Sequence, residues 1–268
     1  MNLLIIGAGN MGLTYGHSFI NSGVVSRDHL FFLERTASKA AEVRDVSHNP
    51  VYTEPGEYIR TMDLIILAVK PQDFRELAAA LRPHLHQDHI LLSIMAGIRV
   101  SVIQEVTGVE KVVRAMPNLP AQVGMGMTAF TTSDQVSRVE IFSIQNLLNT
   151  TGKTIYTPEE EKIDVSTAIS GSGPAFVFYF MQAMIEAGRE MGFSDAESQL
   201  LVKQTFLGSV NLLHQNEFSC EEWIRRVSSK GGTTEAAIQT FTTEEVMPRI
   251  KKGLRAAFER AVALSGGN

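Results

Sequence analysis

A doubly wound α/β domain followed by an all-helical one is the architecture that this sequence of 268 residues predicts. Three observations predict it. Short apolar runs alternate with helical patterns through the first part, the mark of βαβ units and a parallel sheet with helices on both faces. The run Asp63-Leu-Ile-Ile-Leu-Ala-Val69 is continuously apolar after its first residue, as a strand buried on both sides must be. From about Pro158 onward helical patterns continue while strand patterns all but stop. The expected division is residues 1–157 and 158–268.

The first strand, Leu3–Ile6, ends at Gly7-Ala8-Gly9-Asn10-Met11-Gly12 and is followed by helical spacing over 10–22. A glycine turn between a strand and a helix is a dinucleotide-binding signature of Rossmann type. The first glycine lets the chain leave the strand, the second admits a pyrophosphate to the backbone, and the third lets helix and strand pack closely. Free N–H groups and the helix dipole would hold the anion. Further strands are expected at Leu30–Leu33, 64–69, 90–94 and 111–115, with helices near 36–46, 72–82 and 99–107.

The strand at Leu30–Leu33 is followed by Glu34, whose carboxylate suits a ribose 2′-OH and favours NAD. Arg35, Thr36 and Lys39 beside it form a candidate cradle for a 2′-phosphate, although Thr36 suits an N-cap and Lys39 a solvated surface equally well. The balance falls slightly toward NADPH, with NADH tolerated. Ala68-Val69-Lys70-Pro71 and Ala96-Gly97 close two later strands at the carboxyl ends where ligands bind in open sheets. Lys70 before a proline reads more readily as a backbone-positioning residue than as a catalytic amine. Arg114-Ala-Met-Pro-Asn-Leu-Pro120 closes the next, and Asn118 offers an amide to a ligand.

In the second part, Glu159-Glu-Glu161 supplies acidic residues for a first helical turn. Helices are expected at 172–192, 194–214, 219–227 and 244–264. The segment Pro174-Ala-Phe-Val-Phe-Tyr-Phe-Met181 is apolar on every side, so its helix must be wrapped by others, and the expected wrapping is a partner subunit. Ser228-Ser229-Lys230-Gly231-Gly232-Thr233-Thr234 places two hydroxyls after a glycine pair and before a helical run to Phe241. Such a start makes an amide nest for a carboxylate or phosphate.

Composition narrows the classes. The content of 44% hydrophobic and 20% charged residues is that of an ordinary globular protein, and a net charge of −5 argues against a nucleic-acid partner. One cysteine, Cys220, excludes an internal disulfide and thiolate-rich metal sites. His48, His84, His86, His89 and His214 lack metal-ligand spacing, so no metal is expected, and His84 and His86 read as a solvated turn. No run reaches the roughly 18 uninterrupted apolar residues of a membrane span. The opening apolar run reads as a strand and not a signal peptide, and the simplest location is cytoplasmic.

Taken together, Gly7–Gly12, Val69-Lys-Pro71, Met116-Pro-Asn118, Gly171-Ser-Gly-Pro-Ala175 and Val227–Thr234 resemble pyrroline-5-carboxylate reductase, in the right order over nearly the whole chain. The resemblance implies a Rossmann domain, a helical domain that dimerises by helix interchange, often a decamer built from dimers, and an active site between the domains. It implies reduction of 1-pyrroline-5-carboxylate to proline by NAD(P)H. By position, Gly7, Gly9, Asn10, Met11 and Gly12 would hold the pyrophosphate, and Glu34, Arg35 and Thr36 the adenosine side. Ala68, Val69, Lys70, Pro71, Ala96, Gly97 and Asn118 would line the nicotinamide half. Ser229, Gly231, Gly232, Thr233 and Thr234 would bind substrate, with the Thr234 hydroxyl near the ring nitrogen. The chain departs from the family pattern at Glu34, commonly Asn, at Lys230, commonly Pro, and at Glu54-Pro55, near which many members carry an adenosine-binding Asn. Other imine reductases and a nucleotide-sensing regulator remain alternatives. The hydroxyacid dehydrogenases are disfavoured because no lysine falls between Ser170 and Gln199.

Overall fold

The computed structural model describes residues 1–266. Eight strands form one sheet in the order β3-β2-β1-β4-β5-β6-β7-β8. They are β1 (Leu3–Ile6), β2 (Leu30–Leu33), β3 (Val51–Tyr52), β4 (Leu64–Leu67), β5 (Ile90–Ser93), β6 (Val112–Met116), β7 (Gly126–Thr132) and β8 (Gly152–Tyr156). β1 pairs in parallel with both β2 and β4, with Leu3 opposite Leu30 on one side and Leu64 on the other. The chain order therefore reverses at β1, which places a crevice at its carboxyl end.

The strand residues alternate between two buried faces. Leu3 and Ile5 pack with Tyr15 and Phe19 of α1 (Asn10–Asn21), Ala40 and Val43 of α2 (Ala37–Ser47), and Ile144 and Leu147 further along the chain. Leu4 and Ile6 face Phe74, Ala78 and Leu81 of α3 (Phe74–Leu81) and Ile103 of α4 (Val100–Thr107). Helices thus cover both sides of the sheet, as the continuous apolar strands require.

Residues 116–157 hold more structure than the sequence pattern suggested. The short loop 117–125 leaves no room for a crossover helix, so β7 returns antiparallel to β6. Its alternation is masked because the polar residues Thr128 and Thr131 are buried, the Thr128 hydroxyl beside that of Tyr15 at 3.4 Å. Helix α5 (Arg138–Asn149) begins with a capping box in which Ser137 and Glu140 exchange hydrogen bonds.

After β8 the described chain is helical throughout. Helix α6 (Glu161–Ser166), a π turn at Thr167–Gly171 and α7 (Gly173–Glu190) run on as one helix, followed by α8 (Asp195–His214), α9 (Cys220–Val227), α10 (Thr233–Thr243) and α11 (Val246–Gly266). The Ser172 amide bonds to the Thr167 carbonyl at 2.9 Å, which widens that turn. Ser194 with Glu197 and Ser219 with Glu222 form capping boxes that start α8 and α9. By length and composition the helix Glu161–Glu190 is apolar enough to cross a membrane, although no uninterrupted apolar run is that long.

The chain divides into two compact units, one of residues 1–173 with the chain from Ala257 onward, the other Pro174–Ala256. In the first unit the acidic triplet supplies Glu161 to the first turn of α6, as expected, and its middle residue does more. Glu160 pairs with Arg114 at 3.0 Å and accepts the Val100 N–H at 2.9 Å, so it closes an ion network as well as flanking a helix start. Arg114 is 1% exposed and also reaches Asp164 at 2.6 Å and the Ser265 hydroxyl at 3.2 Å. His84 and His86 do not form a free turn either. His84 contacts Glu57 at 3.2 Å, and His86 stacks on buried His89 with ring centroids 3.7 Å apart.

Candidate active site

The glycine turn leaves β1 with Gly7 at φ +93°, and the three glycines meet different constraints. A Cβ on Gly7 would lie 2.8 Å from the Ala68 carbonyl oxygen, and one on Gly12 only 2.1 Å from the Gly7 oxygen. Neither has room for a side chain. A Cβ on Gly9 would meet nothing within 4 Å, so the middle glycine opens on free space. Gly9 caps α1 without a side-chain acceptor, and the first intrahelical bond runs from the Leu13 amide to the Gly9 carbonyl. The amides of Asn10, Met11 and Gly12 therefore point out of the helix with no partner among the described residues. This is a fitting cradle for a pyrophosphate.

At the end of β2 the Glu34 carboxylate accepts the Ala8 N–H of the same glycine turn. Arg35 lies 3.6 Å from Asp73, which ends the 3-10 turn Pro71–Asp73 after β4. Thr36 caps α2 by accepting the Lys39 N–H at 3.3 Å. The Lys39 amine sits 2.8 Å from Glu42, which holds its pKa above the ordinary lysine value, with a smaller contribution from Glu34. Lys70 is exposed in extended conformation ahead of Pro71, while Ala68 and Val69 are half-buried.

Gly97 has φ +75°, and a Cβ there would lie 3.0 Å from both Cβ and the carbonyl oxygen of Leu264. Its bare backbone is thus needed where the end of α11 packs, while neighbouring Ala96 is half-buried. Asn118 donates its amide to both the carbonyl and the hydroxyl of Ser170 at 3.2 Å, and its side-chain oxygen accepts the Met127 N–H at 2.8 Å. A Cβ on Gly171 would come within 2.7 Å of Met116 Cε. Two motifs distant in sequence, Met116-Pro-Asn118 and the stretch beginning at Ser170-Gly171, are therefore bound directly to each other. The Ser170-Gly-Ser-Gly-Pro-Ala175 motif was visible in the sequence but its bond to Asn118 was not, and Asp73 and the Arg114 network escaped the sequence reading. An arginine in the apolar run Val112-Val113-Arg114-Ala115 was the available signal for the last.

In the second unit, Gly231 has φ +72° and Gly232 is the N-cap of α10. The Gly232 amide bonds to the Ser229 carbonyl at 3.0 Å, and the Gly231 amide donates to the Glu235 carboxylate at 2.6 Å. Glu235 therefore fixes the glycine turn from inside the helix, a role the sequence reading missed. The amides of Thr233 and Thr234 open the helix with no partner among the described residues. Ser229 and Thr233 are exposed and Thr234 half-buried. No group of three His, Cys, Asp or Glu side chains able to hold a metal occurs among the described residues.

Comparison with known proteins adds the family. The model for pyrroline-5-carboxylate reductase dimerisation matches residues 160–264, and that for coenzyme F420-dependent NADP oxidoreductase matches residues 2–97. A pyrroline-5-carboxylate reductase of Pseudomonas aeruginosa is 33% identical over 264 residues, 98% of this chain and 96% of that protein. The crystal structure of the Plasmodium falciparum pyrroline carboxylate reductase with NADP bound superposes with a TM-score of 0.89 at 26% identity, covering 99% and 98% of the two chains. The enzyme from Coxiella burnetii gives 0.90 at 28% identity, covering 98% of each. The long apolar helix Glu161–Glu190 lies within the dimerisation match.

Proposed function

The chain belongs to the pyrroline-5-carboxylate reductase family and is an NAD(P)-dependent oxidoreductase of that activity, and from that premise we propose how its residues divide the work. It reduces 1-pyrroline-5-carboxylate to L-proline, the last step of proline biosynthesis. Residues 1–157 bind the dinucleotide, and residues 158–268 dimerise and bind substrate. The protein works in the cytoplasm as a homodimer or a larger assembly of dimers, without metal, nucleic acid or membrane.

The reduced nicotinamide, when bound, supplies the hydride. The amides of Gly9, Asn10, Met11 and Gly12 hold its pyrophosphate, and Gly7 gives the turn its shape. Glu34, Arg35 and Thr36 face the adenosine side, with NADPH preferred and NADH accepted. Ala68, Val69, Lys70, Pro71, Ala96 and Gly97 form the nicotinamide half, and Asn118 holds its loop in place through Ser170 and Met127.

The start of α10 carries the substrate assignment. Two unpartnered amides, a glycine turn and the hydroxyls of Ser229, Thr233 and Thr234 make a nest for the substrate carboxylate. The Thr234 hydroxyl then orients the ring nitrogen. No strong acid is needed, since a protonated imine already accepts hydride, and the site acts by orientation and charge matching. Tyr15, whose pKa burial pushes up to about 12, lies on the buried face of α1 with no exposure and is no proton donor to the substrate.

The test is oxidation of NADPH and of NADH by the purified protein, with and without pyrroline-5-carboxylate, followed at the nicotinamide absorbance. Loss of signal that depends on this substrate supports the reading. Consumption with other cyclic imines only, or binding without consumption, overturns it.

A further inference from the structure

We propose that Asp73 is a specificity-determining residue, which engages Arg35 and so restrains the preference of this chain for a 2′-phosphorylated dinucleotide. This rests on the reading that the corner between β2 and α2 binds adenosine. Each cation there already has an internal partner. Arg35 faces Asp73 at 3.6 Å and Lys39 faces Glu42 at 2.8 Å. The Thr36 oxygen accepts the Lys39 amide as a helix cap. Glu34, Glu42 and Asp73 set three carboxylates against the two cations Arg35 and Lys39, a net charge of −1.

A 2′-phosphate adds about −1.5 to −2 further charge at neutral pH. To engage Arg35 it must displace Asp73, while repelled by Glu34 as well. A ribose 2′-OH needs only an acceptor. Glu34 supplies one from a position fixed by the Ala8 amide, and this contact is indifferent to Arg35. Asp73 therefore opposes one cofactor and leaves the other untouched. Because Arg35 and Asp73 are solvent-exposed, the effect is modest.

The experiment compares the NADPH and NADH kinetics of the intact enzyme with those of Asp73→Asn, Arg35→Ala and the double variant. In Asp73→Asn the NADPH KM falls about two- to fivefold, the NADH KM and kcat stay put, and the fall in NADPH KM disappears when Arg35 is alanine. Equal effects on both cofactors, no effect on either, or an effect that survives Arg35→Ala overturns the proposal. An unsubstituted enzyme that consumes neither cofactor with pyrroline-5-carboxylate brings down the functional reading, and this inference with it. An active enzyme with an unresponsive Asp73→Asn variant brings down the inference alone.

Discussion

The two units of this chain dispose of their apolar residues in opposite ways. In the first, every residue of β1 and β4 is buried, and the helices on both sides bring Phe19, Phe74 and Leu81 inward. In the second, α7 has no buried residue at all, with Phe178 60% and Tyr179 74% exposed. Helix α8 buries only Ser198 and Val202 while Leu200 and Leu207 face outward. Large apolar side chains exposed in this number are what an interface requires. The first unit can be read as a finished core, whereas the second leaves apolar residues open to an oligomer contact, in keeping with the dimerisation match.

The sharpest way to break this contrast is to place the same charge on each unit. Tyr179→Asp puts an unpaired carboxylate into the proposed interface and should weaken dimerisation by at least about 100-fold, read by sedimentation equilibrium. Phe142→Asp, at an exposed position of α5, should leave assembly unchanged. Equal behaviour of the two variants would remove the distinction. Within the first unit, Arg114→Ala strands buried Asp164 without its cation and should cost about 3–5 kcal/mol in urea unfolding. A loss below about 1 kcal/mol would show that the network carries no such weight.

In the second unit, Thr234→Ala should lower kcat by roughly 10- to 1000-fold with assembly intact. Unchanged turnover would deny its hydroxyl a part in the reaction. The smallest effect concerns pH. Burial, followed by His86 beside it, lowers the pKa of His89, whose Nδ1 accepts the His86 amide and whose Nε2 donates to the Ile59 carbonyl. The unfolded chain takes up this proton near pH ~6.5 and the folded one only at lower pH. The contribution of neutral His89 is therefore complete above that pH and lost as pH falls toward the folded value, at no more than about 1.4 kcal/mol per pH unit. Unfolding of His89→Gln should show a correspondingly shallower acid slope than the parent, and identical slopes would rule the residue out.

Much of this was legible in the sequence because local chemistry dictates it. The glycine turn, the apolar strands and the helices of the second part declare themselves through backbone freedom and periodicity, and the helix starting near Asp195 appears within a residue or two of its expected place. β7 did not, since its buried threonines mimic a loop, and the two residues of β3 are too few to carry a pattern. At the site, the sequence reading nominated Asn118 and Gly97, while their partners, Ser170 and Leu264, depend on contacts between distant segments. The same limit hid Asp73. Nothing in its neighbourhood announces that it will meet Arg35.

The most direct test of the contrast between the units is sedimentation equilibrium of the intact protein over a range of concentrations, with activity assayed across the same series. The account predicts a dimer or larger assembly whose specific activity falls as dilution dissociates it. A folded monomer with full activity would contradict it.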